Sequence, residues 1–150
     1  MDYKIQNEEY ETAIKNLFRG KSWNERAEAA RKLGMFKDAR ATNLLARALN
    51  SEKDDVVINR IIEAMGKIKD AKATKLIIDF LKKELVLPEE NQNKNRLFII
   101  IESLMKIGDK RALEHLGILL NSCHAEIRDL TEQAFECIDV NWRDNIKKNP

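Results

Sequence analysis

Two histidines and two cysteines are the side chains best suited to metal or nucleophilic chemistry in this sequence, and their spacing argues against both. His115 sits in Glu114-His115, and His124 in Cys123-His124-Ala125-Glu126. A zinc site wants three or four ligands at spacings such as C-x2-C or H-x3-H, whereas adjacent Cys123 and His124 diverge on a helix or at its cap. His124 is read as a surface residue at a helix start. With two histidines a Ser/His/Asp triad has few ways to assemble, and no G-x-S-x-G, Walker A or G-x-G-x-x-G motif is present. Cys123 and Cys137 form neither a CxxC pair nor a disulfide framework, and both are expected to be reduced thiols in the cytoplasm. Cys137, near Ala134 and Ile138, is predicted to pack in the core. Cys123 is expected at an accessible inter-helix turn, where a helix start would lower its pKa. No catalytic residue, metal ligand or cofactor is assigned, and the chain is read as a non-enzyme.

Asp38, Asp70 and Asp109 are a different matter, because they recur in matched surroundings. Leu33-Gly34-Met35-Phe36-Lys37-Asp38-Ala39-Arg40-Ala41-Thr42 is matched by Met65-Gly66-Lys67-Ile68-Lys69-Asp70-Ala71-Lys72-Ala73-Thr74, at an offset of 32 residues. A third copy, Leu104-Met105-Lys106-Ile107-Gly108-Asp109-Lys110-Arg111-Ala112-Leu113, follows at an offset of 39. Each aspartate precedes a helical pattern, where a short carboxylate accepts from the free amides of the first turn and favours the positive dipole end. This is a ladder of caps and not a catalytic group. A period of this length signals stacked helical repeats. The extra residues of the third copy fall around Glu84 to Glu90, where Pro88 and an acidic pair mark a loop.

Composition agrees. Five glycines and two prolines in 150 residues are too few for the turns of an all-β chain. An apolar fraction of 43% is enough for a real core. Lys and Arg number 27 against 25 Asp and Glu, a balance that disfavours a strongly basic nucleic-acid binder and an acidic disordered chain alike. The polar, acidic start does not read as a signal peptide. The longest apolar run, Leu97 to Ile101, is far short of the ~20 residues of a membrane span.

The elements follow from helical spacing. Tyr10, Ala13, Ile14, Leu17 and Phe18 form one stripe, and Gly20 stops that helix. Ser22 and Glu25 have capping-box spacing, and Gly34 is read as the end of the helix they open. A second helix is predicted from about Asp38. In the middle copy, helix A runs from about Asp55 to Met65, with Ile58, Ile61, Ile62 and Met65 inward, and helix B from about Ala71 to Lys83. The third copy places helix A at about Asn93 to Lys106 and helix B at about Lys110 to Asn121. A degenerate helix from about Ala125 to Ile138 and a short one carrying Trp142 close the chain, with a tail of Lys147 to Pro150 expected to fray. Trp23 and Trp142 are predicted to pack in the core or end caps. The organisation is a single domain, 1–150: an N-terminal capping helix (7–20), repeats at 22–51, 54–84 and 91–121, and a C-terminal cap (124–148).

These copies resemble HEAT repeats, and are similar to the short HEAT-like type of phycobilisome lyase subunits and many prokaryotic proteins, over roughly residues 22 to 138. The resemblance implies an all-α fold, a right-handed α-solenoid (alpha-alpha superhelix) of stacked antiparallel helix pairs, HEAT/armadillo-like, with the B helices lining the concave side. The third copy has Met105 where the others have glycine, and the fourth lacks the G-x-x-x-D turn, so the end repeats are read as caps. The iron hydroxylases built on HEAT repeats use paired His-Glu dipeptides, and this sequence contains none.

If the B helices line the concavity, periodicity turns Arg40, Asn43 and Arg47, then Lys72, Lys75 and Asp79, then Arg111, Glu114 and Ile118 towards solvent. Arg40, Lys72 and Arg111 would form a row of cations. Asp79 and Glu114 dilute the stripe and no aromatic interleaves to stack bases. A protein partner on this face is therefore the leading reading, with oligomeric state open and no membrane partner expected. A second candidate surface combines Leu85 and Leu87 (with Val86) and Phe98, apolar groups in excess of the core stripe. The alternatives are a nucleic-acid binder of the HEAT-like DNA glycosylase type, or an auxiliary subunit of a chromophore-lyase-like enzyme.

Overall fold

A computed structural model describes residues 3–148, and every regular element among them is helical. The α-helices are α1 (Tyr3–Arg19), α2 (Trp23–Phe36), α3 (Thr42–Ser51), α4 (Asp55–Ile68), α5 (Thr74–Leu85), α6 (Lys94–Ile107), α7 (Leu113–Leu116), α8 (Ala125–Ile138) and α9 (Trp142–Lys148). The fold class is all-α, of the solenoid type. Asn149 and Pro150, in the tail expected to fray, lie outside the described residues.

The helices group into two compact units, Met1–Ala73 and Thr74–Pro150. In the first, α1 packs along α2, α2 along α4, and α3 against α4. Their buried faces hold Ala13, Leu17, Ala30, Leu33, Leu45, Leu49, Ile61 and Ile62. In the second, α5 lies against α6, α6 against α8, and α7 touches both α5 and α8. Ile77, Leu81, Leu97, Ile100, Leu116, Ile127 and Phe135 are buried there. Each such side chain contributes roughly 1.5–3 kcal/mol when taken fully out of water. The apolar run of α6 is largely absorbed: Leu97, Ile100 and Ile101 are buried, while Phe98 and Ile99 are half-buried.

Several boundaries depart from the spacing. The helix predicted over 7–20 starts earlier, at Tyr3, since nothing in Lys4 to Asn7 breaks it. Ser22 caps α2 through its hydroxyl, which accepts from the Glu25 amide at 3.2 Å, while the Glu25 carboxylate reaches one residue further back, to the Lys21 amide at 3.1 Å. Gly34 does not end α2, which runs on to Phe36. Gly34 instead permits close packing: a Cβ there would stand 2.9 Å from the Ala64 Cα of α4.

The helix end is made three residues later, by a left-handed residue. Lys37 has φ 52°, Lys69 φ 62° and Gly108 φ 77°, all at one position of the repeat. Left-handed C-caps satisfy the last carbonyls, and here the Lys37 amide donates to Gly34 O, the Lys69 amide to Met65 O and the Gly108 amide to Leu104 O. Each B helix then opens on a 3-10 turn: Ala39–Ala41, Ala71–Ala73 and Lys110–Ala112. The cause is local. The Ala41, Ala73 and Ala112 amides bond the carbonyls of Asp38, Asp70 and Asp109, three residues back, which tightens the turn.

The third B helix is not continuous. It holds four α residues and then becomes a 3-10 segment, Gly117–Asn121. Glycine in a helix interior is less favourable than alanine by about 1 kcal/mol, and Gly117 stands at the break. The loop around Pro88 contains a 3-10 turn, Glu89–Asn91. Buried Glu84 anchors it by accepting from the Asn93 amide at 2.9 Å.

Gly34→Ala is expected to lower stability by about 1–3 kcal/mol, because overpacking against α4 outweighs the gain in helix propensity. Lys37→Gly is expected to raise stability by about 1 kcal/mol through relief of the left-handed lysine. Thermal or urea melts of the two variants check both directions.

Candidate functional site

The cation row was the first candidate, and its members are built at the A–B turns. Asp38 Oδ1 accepts from the Arg40 amide at 2.9 Å, Asp70 Oδ1 from the Lys72 amide at 3.0 Å, and Asp109 Oδ1 from the Arg111 amide at 3.0 Å. The ladder of caps is therefore present. The same aspartates also take the arginine side chains. Arg40 donates from Nε to Asp38 Oδ2 at 2.9 Å and from Nη2 at 2.5 Å. Arg111 does the same to Asp109 Oδ2, at 2.9 and 2.6 Å. These are bidentate pairs, which fix direction as well as charge. Two of the three row cations are thus neutralised by their own caps. Lys72, whose single ammonium has no guanidinium fork, makes no such ion pair among the described residues.

The electrostatics follow from the geometry. The Arg40 side chain, then its amide, hold the Asp38 carboxyl below its usual range. Asp109 is lowered further, from 3.8 to about 2, first by the Arg111 guanidinium and then by the Arg111 amide, although its burial pushes the other way. Its side chain is 12% exposed, against 27% for Asp38. The buried Thr74 hydroxyl adds to the effect.

The remaining B positions differ in surroundings. Asn43 and Arg47 are exposed on α3, and the Arg47 guanidinium lies 5.7 Å from the Phe18 ring centroid. Lys75 is exposed and Asp79 half-buried on α5. Glu114 is exposed on α7 and borders a hollow of about 550 Å³ in the second unit, with Leu113, Gly117, Phe135 and Trp142 as its apolar lining and Lys110, Asp139 and Asn145 at its edge. Phe135 and Trp142 support each other there, with centroids 4.9 Å apart. Helical spacing marks Glu114 but not the rest of the lining, since Phe135 and Trp142 come from distant helices. Exposed Ile118 and Val140, neighbours in sequence of Gly117 and Asp139, were its available signal.

The second candidate surface is only partly open. Leu85 and Phe98 are half-buried, and Leu87 is exposed. Trp142 is buried as predicted, and its Nε1 donates to Glu136 Oε1 at 3.0 Å. Trp23 is not buried: it stands exposed in the first turn of α2, where Ala27 and Ala30 take the inner face. Cys137 is exposed and not in the core, because Thr131, Ala134, Phe135 and Ile138 occupy the inner face of α8 and leave it turned away. Cys123 is exposed as expected, but its pKa moves opposite to the helix-start expectation. Glu89, hydrogen-bonded to it, raises the thiol pKa and so disfavours the thiolate. His124 starts α8 half-buried, without capping through its side chain. Among the described residues no group of three or more His, Cys, Asp or Glu is placed to hold a metal ion.

A further arginine pair holds the first unit together. Arg26 donates to Glu52 Oε2 at 2.9 Å and to the Gly20 carbonyl at 3.0 Å. Burial pushes the Glu52 carboxyl up, but Arg26 and the amides of Asp54 and Lys53 outweigh it and hold the group below its usual range.

The depressed Asp109 sets a pH dependence. Its folded pKa lies below the ordinary value, so its contribution is present above about pH 4 and is lost as pH falls towards 2. Asp109→Asn keeps a capping side chain but loses the charge-assisted pair with Arg111, so it is expected to remove that portion of the acid unfolding curve and to cost about 1 kcal/mol at neutral pH. Urea melts at pH 7 and between pH 4 and 2 test this.

No curated protein matches the sequence. A family model described as HEAT repeats matches residues 10–88, from within α1 to the loop at Pro88 just after α5. That is just over half of the chain, and it covers the first two copies of the turn, with Lys37-Asp38 and Lys69-Asp70 at their centres. The chain belongs to the HEAT-repeat family.

Proposed function

We propose that the chain is a non-catalytic interaction scaffold that takes a protein partner on the outward side of its B helices. The observation that carries this reading is the make-up of that side in each unit. Exposed Asn43, Arg47 and Lys72 accompany half-buried Leu44 in the first unit, and exposed Lys75 and Glu114 accompany half-buried Leu76 and Leu113 in the second. Apolar ground inside a polar, mixed-charge margin suits a protein interface. Family membership supports it, since HEAT repeats generally mediate protein–protein interactions. The pairing of Arg40 and Arg111 with their caps weakens the nucleic-acid alternative, because counterion release needs cations available to phosphates. The reading includes a cytoplasmic setting, supported by two exposed, unbridged cysteines. Among the described residues no helix is long and apolar enough to cross a membrane.

The test is crosslinked capture from the native host with the wild-type chain and with an Arg47→Glu/Lys72→Glu/Lys75→Glu variant, which leaves the caps intact. Loss of specific partners from the variant is the expected result, and retention of every partner would overturn the B-side assignment. In parallel, anisotropy with a labelled DNA duplex is expected to show no binding at low salt. Tight binding with a steep salt slope would favour the nucleic-acid reading.

A further inference from the structure

We infer that the groove between α1 and α3 in the first unit binds an acidic peptide segment through a central apolar side chain. This deepens the protein-binding reading above and rests on it. The groove holds about 440 Å³, with Ile14, Phe18 and Leu44 as its floor and Lys15, Arg19 and Arg47 on its margin. A single carboxylate, Glu11, stands among them.

Two features point to an occupant of this chemistry. The first is the floor. Phe18 is 41% exposed, although it continues the stripe of Ala13 and Leu17, which are buried. A phenylalanine ring left open beside half-buried Ile14 and Leu44 offers apolar area that a partner side chain would cover. The second is the state of the cations. Elsewhere in this unit Arg26, Arg31, Arg40 and Arg60 are each paired with a carboxylate. Lys15, Arg19 and Arg47 are exposed and form no ion pair among the described residues. Arg47 instead lies over the Phe18 ring, 5.7 Å from its centroid, where a guanidinium keeps its donors free for a carboxylate.

The dimensions suit a short segment. Past Phe18 a further hollow of about 300 Å³ continues the groove to Ser51 and Lys53. From Glu11 to Arg19, α1 rises about 12 Å at 1.5 Å per residue, the length of about four extended residues. Cations around an apolar floor complement carboxylates flanking an apolar residue. A phosphodiester strand would leave that floor uncovered, and Phe18 is the one ring in the lining on which a base could stack.

The probe is a fluorescein-labelled acidic peptide with a central leucine–phenylalanine pair, read by anisotropy at low and moderate salt. The full chain is expected to bind it, more weakly as salt rises. Binding is expected to fall about tenfold in Arg47→Glu and in Lys15→Glu/Arg19→Glu. A similar loss is expected for Phe18→Ser and for a peptide with serines in place of the apolar pair. Helical circular dichroism and melts of each variant confirm folding, and Arg47→Lys, which keeps charge without the planar guanidinium, is expected to retain most binding. Undiminished peptide binding in the charge reversals overturns the proposal. So does equal, groove-dependent binding of a DNA duplex or of vesicles rich in anionic lipid. Self-association lost on Arg47→Glu would assign the groove to a second copy and overturn it as well. If the peptide does not bind while the B-side capture above succeeds, the groove assignment falls and the wider reading stands. If both fail, both fall.

Discussion

The reversal of the chain between paired helices is the constraint from which the rest of the molecule follows. At each turn one residue enters the left-handed region, and the aspartate that follows it catches the amide two residues further on. A lysine in that region costs about 1–2 kcal/mol, and an aspartate cap returns about 1 kcal/mol. Two turns accept a lysine at this position while the third uses glycine. The amide and carbonyl groups left over at a helix end are therefore answered locally, without waiting for a distant partner. That local closure ends each A helix cleanly and starts the next helix at once, and within each unit the B helices then meet the A helix that follows, α3 against α4 in the first and α5 against α6 in the second.

Packing within the first unit depends on that closure. α2 and α4 approach closely enough that Gly34 has no room for a methyl group beside Ala64. At the other end of α2, Arg26 ties the linker before it to the linker after α3 through Gly20 and Glu52. One end of the helix is held by contact distance and the other by a charge-assisted clamp, which leaves α1 and α3 in fixed relation with a groove between them. A partly buried pair of this kind is costly to break, since the remaining charge loses its counter-ion.

Charge is distributed by duty. Arginines beside aspartate caps or at helix linkers spend their donors inside the protein, and their field outside is small. Those at the margin of the α1–α3 groove do not. The same residue type thus reads as structural at Arg40 and Arg111 and as available at Arg19 and Arg47, and the difference is the presence of a carboxylate within bonding distance. In the second unit, the Phe135–Trp142 pair makes apolar ground of a different sort, bordered by carboxylates as well as by Lys110.

Much of this was legible in the order of residues. The repeated Asp38, Asp70 and Asp109, the apolar spacing of Ile58, Ile61, Ile62 and Met65, and the scarcity of glycine and proline determine helix pairs joined by capped turns, because propensity, capping and periodicity act over a few residues. The family and the all-α class follow from them. What lay beyond reach depended on atoms far apart in sequence. Gly34 looks like a helix stop until Ala64 is seen against it. Cys137 looks inward until Thr131, Ala134, Phe135 and Ile138 take the inner face of α8. The row of cations looks free until Arg40 and Arg111 are found folded back on their caps, a choice of rotamer that spacing does not encode. The groove beside Phe18 exists only because α3 comes to lie across from α1, so tertiary packing alone decided which side chains stay in water and which charges remain unanswered.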